Sequence, residues 1–294
     1  MTAGKLVVRF VLAWIALIAG QVVAGMLIHL NYPPMPHVLP WLLLANAIVV
    51  LALGAAAMRS EWKGWKLGLA LFAIPAAINT VNMVEGAIFL TNVKLDWRGT
   101  LEITLVGYAL AAVLWTIIFN GKNSAHADEW AFPERSLLQK VWRFAFCCAS
   151  YVFLYFLAGM IIFPYVRDFY ATQHIPSFGQ IVLLQFFLRG PMFVAVCLLL
   201  LRMFRLPGVS GALAVGLAYT LLSSISLIIP NPYFPDSVRW VHFCEVTSSN
   251  FVFGCVVGWV WGNTQRVAQL AHATRLAIET KSFTTEALRT RGRE

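Results

Sequence analysis

"LPWLLLANAIVVLALGAAAM" (residues 39–58) runs for twenty residues without a charge. A helix needs about 20 predominantly apolar residues to cross a hydrocarbon core, so this stretch is long enough to span a bilayer. It is one of eight such runs, at approximately 10–30, 39–58, 67–91, 101–120, 144–166, 179–201, 208–230 and 241–262. Long continuous runs point to helices, because a spanning barrel would show short alternating segments instead. The whole-chain composition agrees. Of 294 residues, 60% are hydrophobic and only 12% charged, whereas soluble domains carry about 25% charged residues. The fold expected is an all-α polytopic membrane bundle of about eight helices.

The cations set the expected orientation. With the N-terminus inside, seventeen of the 22 Lys and Arg residues fall in cytoplasmic segments, among them Lys5, Arg9, Arg59, Lys63, Lys66, Arg135, Arg143, Arg202 and Arg205. Lys94, Arg98, Arg167 and Arg239 fall outside, and Arg189 lies within a span. This positive-inside bias places both termini in the cytoplasm of a plasma (inner) membrane. The net charge of +9 is therefore topological, with no nucleic-acid partner implied; the basic rim would attract anionic lipid. Lys5 and Arg9 precede the first apolar run as they would in a signal peptide. That run is too long for an h-region and lacks a small-residue cleavage site, so it reads as a retained helix.

Two four-helix halves are expected: residues 1–120 and 143–262, with a cytoplasmic linker at 121–142 and a basic, partly helical tail at 263–294. "AGMLI" (24–28) recurs as "AGMII" (158–162), and Arg59 precedes Glu102 by the same 43 residues that separate Arg202 from Glu245. An even helix number per half makes such repeats parallel, related by an axis along the membrane normal. The five cysteines all fall within spans without a CxxC pair, which reads as free thiols.

Ionisable groups in lipid are costly and need a partner or a function. Asn79, Asn82 and Glu85 recur at spacing three in the third span, and Glu102 opens the fourth. His242, Glu245, Ser249 and Asn250 cluster in the eighth, and Arg189 sits mid-sixth before Gly190 and Pro191. By depth these converge on the outer leaflet. His29, Tyr32 and His37 border the first outer loop, and the proline-rich loops 31–40 and 229–239 would shape access. The expectation is a polar cavity open to the extracytoplasmic side and floored by Arg189.

Three functions fit that pattern. The first is binding or transport of a small polar or amphiphilic molecule, anionic or lipid-linked ligands included. In it Arg189 is the anion contact, and Asn82, Glu85, Glu102, His242, Glu245 and Asn250 are the binding groups. The second is a membrane enzyme acting on a lipid-borne substrate, with Glu85 and Glu245 as acid/base candidates or a divalent metal held by His242 and Glu245. His242-x-x-Glu245 is the helical spacing at which two side chains reach one metal. The third is a structural or accessory subunit in which these groups only join helices. "QFFLRGPMF" (185–193) resembles in part the Glu-pair-x-x-x-Arg-Gly segment of the CAAX-type intramembrane proteases. The family's two glutamates would fall on Leu184 and Gln185, so the catalytic pair is missing and no protease chemistry is carried over. No P-loop, GxSxG, Rossmann glycine pattern or aspartate-rich motif is present.

Overall fold

A computed structural model describes residues 2–29, 37–90, 92, 96–119, 134–173, 175–232 and 234–262. Among the described residues eight helices are long and apolar enough to cross a membrane: α1 (Ala3–Ile28), α2 (Val38–Arg59), α3 (Gly64–Phe89), α4 (Trp97–Phe119), α5 (Leu137–Tyr170), α6 (Phe178–Phe204), α7 (Gly208–Ile228) and α8 (Asp236–Trp261). No strand occurs among the described residues. The chain is a multi-pass membrane protein. The expected tail helix at 263–294 and most of the linker lie outside the described residues.

Local chemistry explains the helix ends. α5 and α6 each open on a reciprocal capping box, Ser136 with Gln139 and Ser177 with Gln180, which satisfies backbone N–H groups that the first turn leaves orphaned. The Ser136 cap starts α5 at Leu137, well before the expected 144. The last residues of the expected linker, 137–142, are therefore helical, and α5 is 34 residues long. α6 stops where Arg205 turns to φ 56, two residues before Pro207. α3 begins on Gly64 at φ 53, a conformation that suits a residue without a Cβ.

Helices α1 and α4 run antiparallel, with Trp115 Nε1 donating to the Ala13 carbonyl at 2.8 Å, and α4 also packs on α3. In the second part of the chain α8 packs on both α5 and α7. The central contacts are α2 on α6, α3 on α6 and α2 on α7. One face of the bundle, here the terminal face, carries the start of α1, the end of α8 and the α2–α3 and α6–α7 turns. Arg59 Nε donates there to the Phe204 carbonyl at 3.0 Å, and Glu61 pairs with Arg202 and Arg205, joining the ends of α2 and α6. Arg135 and Arg143 donate to the last carbonyls of α8, where a helix dipole favours cations.

Packing is densest in the half nearest the terminal face, where Leu53, Leu67, Leu71, Phe193, Leu200 and Val257 are buried. Lipid offers no hydrophobic gain for joining helices, so close van der Waals approach must supply the attraction. The α7–α8 seam does this with small residues. A Cβ added at Gly254 would lie 2.7 Å from the Gly216 Cα, and one at Gly258 would lie 2.6 Å from the Ala212 Cα. Large apolar side chains such as Val11, Ile15, Ile117 and Phe153 point outward instead, as a lipid-facing surface requires.

Gly254→Val should destabilise the bundle by about 1–3 kcal/mol or more, the usual range for overpacking. Thermal unfolding in detergent micelles reads this directly. Gly159→Ala, whose added Cβ meets nothing within 4 Å, is the control that should leave the midpoint unchanged or raise it, since Ala suits a helix interior better than Gly. Equal midpoints for both variants would refute the close-packed seam.

Candidate functional site

The site begins with a defect in α6. Pro191 has no N–H to donate and crowds the carbonyl four residues back, which disfavours a regular turn there. The chain widens instead into a π-helical turn over Gln185–Arg189, closed by the Gly190 N–H on the Gln185 carbonyl. Such turns redirect side chains and are frequent at functional sites. This one aims both Gln185 and Arg189 toward α3. Gly190 then lets α6 approach α5, since a Cβ there would sit 3.3 Å from the Cys148 Cα.

Glu85 on α3 receives both side chains. Arg189 Nη1 is ion-paired to Glu85 Oε1, and Gln185 Nε2 donates to the same oxygen at 2.9 Å. The second guanidinium nitrogen, Nη2, donates to Asn82 Oδ1 at 3.1 Å. Spacing of three puts Asn82 and Glu85 on one side of α3. Asn79, one turn earlier, turns back to its own helix and donates to the Pro75 carbonyl at 2.8 Å. Arg189 is 7% exposed, and its guanidinium carbon lies 5.1 to 5.9 Å from the ring centroids of Phe193, Tyr151 and Tyr155. Those rings supply the cation–π attraction that replaces water around a buried cation.

A second chain of polar groups stands on α8. His242 Nδ1 meets Glu245 Oε2 at 2.7 Å, and Tyr170 Oη on α5 meets His242 Nε2 at 2.9 Å. With the imidazole neutral, Nδ1–H donates to the carboxylate and Nε2 accepts from the phenol, which satisfies both ring nitrogens. The side chains of His242 and Glu245 are 13% and 11% exposed. Deeper in α8, Asn250 Nδ2 donates to Ser223 Oγ on α7 at 2.8 Å. A neutral reciprocal pair, Gln21 with Asn46, links α1 to α2 at 2.7 and 3.2 Å.

These groups line one cavity of about 1160 Å³. Asn82, Glu85, Arg189, His242, Glu245 and Asn250 all contribute to its wall, so helices from both parts of the chain share it. It lies in the half of the bundle away from the terminal face. Its rim carries Trp97, Pro230, Asn231 and Phe234, which places the loop after α7 beside the opening. The wall also reaches Met160 and Phe163 on α5, which are 68% and 50% exposed. The cavity therefore borders lipid as well as the loops.

Glu102 is not brought to this cavity. It accepts from Arg98 Nε at 2.7 Å on the outside of α4, with the two side chains 45% and 90% exposed respectively. An i,i+4 pair at a helix start has that option whenever neither side chain faces the bundle. His29 and His37 do not line the cavity either, and Tyr32 lies outside the described residues. Among the described residues no three His, Cys, Asp or Glu side chains converge as metal ligands, and His242 and Glu245 are hydrogen-bonded to each other. The five cysteines are free thiols.

Several site residues do not announce themselves in the sequence. Gln185 is completely buried, yet a lone glutamine near the start of an apolar run reads as ordinary helix surface. Its position four residues before Arg189 was the available signal. Asn46 stood alone in the middle of an uncharged run, and Tyr170 lay past the expected end of its span.

The Arg189–Glu85 pair should behave as a unit. Glu85→Leu or Arg189→Met alone should each cost about 3–5 kcal/mol, because each strands a buried charge. The double variant should recover most of that loss in denaturant titrations of micelle-embedded protein. Additive losses would show that the two side chains do not stabilise one another.

No family model, curated protein or solved structure matches the chain.

Proposed function

We propose that this membrane protein binds, and passes across or along the bilayer, a small polar or amphiphilic molecule held in the cavity between its two halves. The single observation that carries this reading is space. Helices joined only for stability would close their polar contacts over one another, but here more than a dozen polar side chains, Asn82, Glu85, Arg189, His242, Glu245 and Asn250 among them, border about 1160 Å³ of unfilled volume. Cavities that hold small ligands are commonly about 300–1,000 Å³, mostly apolar, with a few placed polar groups. The bordering lipid-facing side chains Met160 and Phe163 favour a molecule with an apolar part.

The positive-inside bias places the terminal face in the cytoplasm of a plasma membrane and the cavity mouth outside. A parallel duplication accounts for the shape. Asn46 and Arg189, Arg59 and Arg202, and Glu102 and Glu245 are each separated by 143 residues. The helix contacts follow the same rule: α1 with α4 resembles α5 with α8, and α3 on α6 resembles α7 on α2. Arg189 acts in this reading as a fixed structural cation, because Glu85 and Asn82 already occupy both its terminal nitrogens.

Ser249, on the cavity wall, tests access. In a background with the five cysteines replaced, the thiol of Ser249→Cys should react with membrane-impermeant methanethiosulfonates added from the extracytoplasmic side. Val113→Cys, 63% exposed on the lipid side of α4, should stay unmodified. A Ser249→Cys thiol unreactive from outside would refute an open cavity of this orientation.

A further inference from the structure

We infer that the cavity selects organic cations carrying an apolar tail, an inference that rests on the binding reading above and names its ligand class. The charges on its wall decide this. Four lining side chains among the described residues are acidic or basic: Glu85, Arg189, His242 and Glu245. Glu85 and Arg189 cancel by direct pairing. His242 as a neutral imidazole meets both its neighbours, one ring nitrogen donating to Glu245 Oε2 and the other accepting from Tyr170 Oη. The nearest other buried cation, Arg239, is one turn before His242. It is committed to Asp236 at 2.8 Å and to the Leu227 and Ile228 carbonyls at 2.9 and 2.8 Å. The remaining charge is the Glu245 carboxylate, and no described residue donates a hydrogen bond to its Oε1.

An uncompensated carboxylate in a low-dielectric cleft raises the local concentration of cations and excludes anions. The surrounding rings fit the same ligand. Tyr170 and Phe234 lie with ring centroids 5.7 and 5.2 Å from that of His242, and aromatic faces attract alkylammonium groups that water solvates poorly. The tail has a place too, since the cavity borders lipid at Met160 and Phe163. An anion has no equivalent site. Both terminal nitrogens of Arg189 already serve Glu85 and Asn82, its Nε has no partner but is sealed from the cavity surface, and drawing the guanidinium to an anion would leave Glu85 buried without its partner.

The test uses the full-length Ser249→Cys protein, with the five native cysteines replaced as above, in nanodiscs of neutral lipid. Its thiol should react faster with trimethylammonioethyl than with sulfonatoethyl methanethiosulfonate, by on the order of tenfold after correction for each reagent's rate with a free thiol in water. Octyltrimethylammonium should protect the thiol and octyl sulfate should not. Adding Glu245→Gln should abolish both preferences, with folding checked by gel filtration and helical signal. The unmodified-Glu245 comparison stands even if that variant does not fold. Equal reactivity, or protection by octyl sulfate, would overturn the cation assignment while leaving an accessible cavity. A thiol inert to both reagents would overturn the cavity reading itself.

Discussion

A guanidinium at mid-membrane depth has no water to fall back on, and most of this architecture can be read as an answer to that problem. Arg189 meets it with a carboxylate from α3, a carboxamide from the same helix, a glutamine one turn earlier and three aromatic rings. Pairing a buried charge is a condition for tolerating it, not a large gain in stability. The consequence is geometric. α3 and α6 must face each other in a fixed register, and α6 must open into a π turn for Gln185 and Arg189 to reach one oxygen of Glu85. A regular helix through Pro191 would aim these side chains differently.

That register also explains where the bundle is hollow. Toward the terminal face α2 and α6 are held together by Arg59 on the Phe204 carbonyl and by Glu61 with Arg202 and Arg205, and the space between helices is filled by leucine, alanine and glycine. Beyond Arg189 the wall mixes tyrosine and phenylalanine rings with aliphatic and short polar side chains. Small residues at a helix seam permit close approach, whereas bulky rings hold backbones apart. The cavity is thus built from the same sequence contrast that packs the other half.

Much of this was legible in the chain. Eight long apolar runs predicted eight membrane helices because the bilayer imposes a length that leaves little room for other readings. Glu85, Asn82, Arg189, His242, Glu245 and Asn250 stood out because polar groups in lipid need a reason, and the structure gathers those six on one cavity. Glu102 went the other way: depth along a span was readable, but which side of α4 it faced was not, and Arg98 one turn earlier sufficed to hold it outside. The extent of α5 also escaped, since a polar capping box at Ser136 extends a helix beyond its apolar core. Gln185 was signalled only by its place four residues before Arg189, and the π turn that aims both side chains at Glu85 leaves no mark of its own in the residue pattern.

The polar inventory of the cavity is more uneven than its helical frame. Asn46 in α2 and Arg189 in α6 are 143 residues apart, and each sits buried mid-helix. Asn46 is satisfied by Gln21 alone, amide to amide, at no electrostatic cost and with no demand on neighbouring helices beyond α1. Arg189 draws in α3, α5 and its own π turn. On the proposed duplication these are equivalent positions that took different chemistries, neutral on one side and ionic on the other. A cavity with two identical walls would hold a ligand in two equivalent poses. Concentrating the acidic and basic groups on α3, α6 and α8 gives it a single charged end, and α1, α2 and α4 supply shape and neutral polar groups.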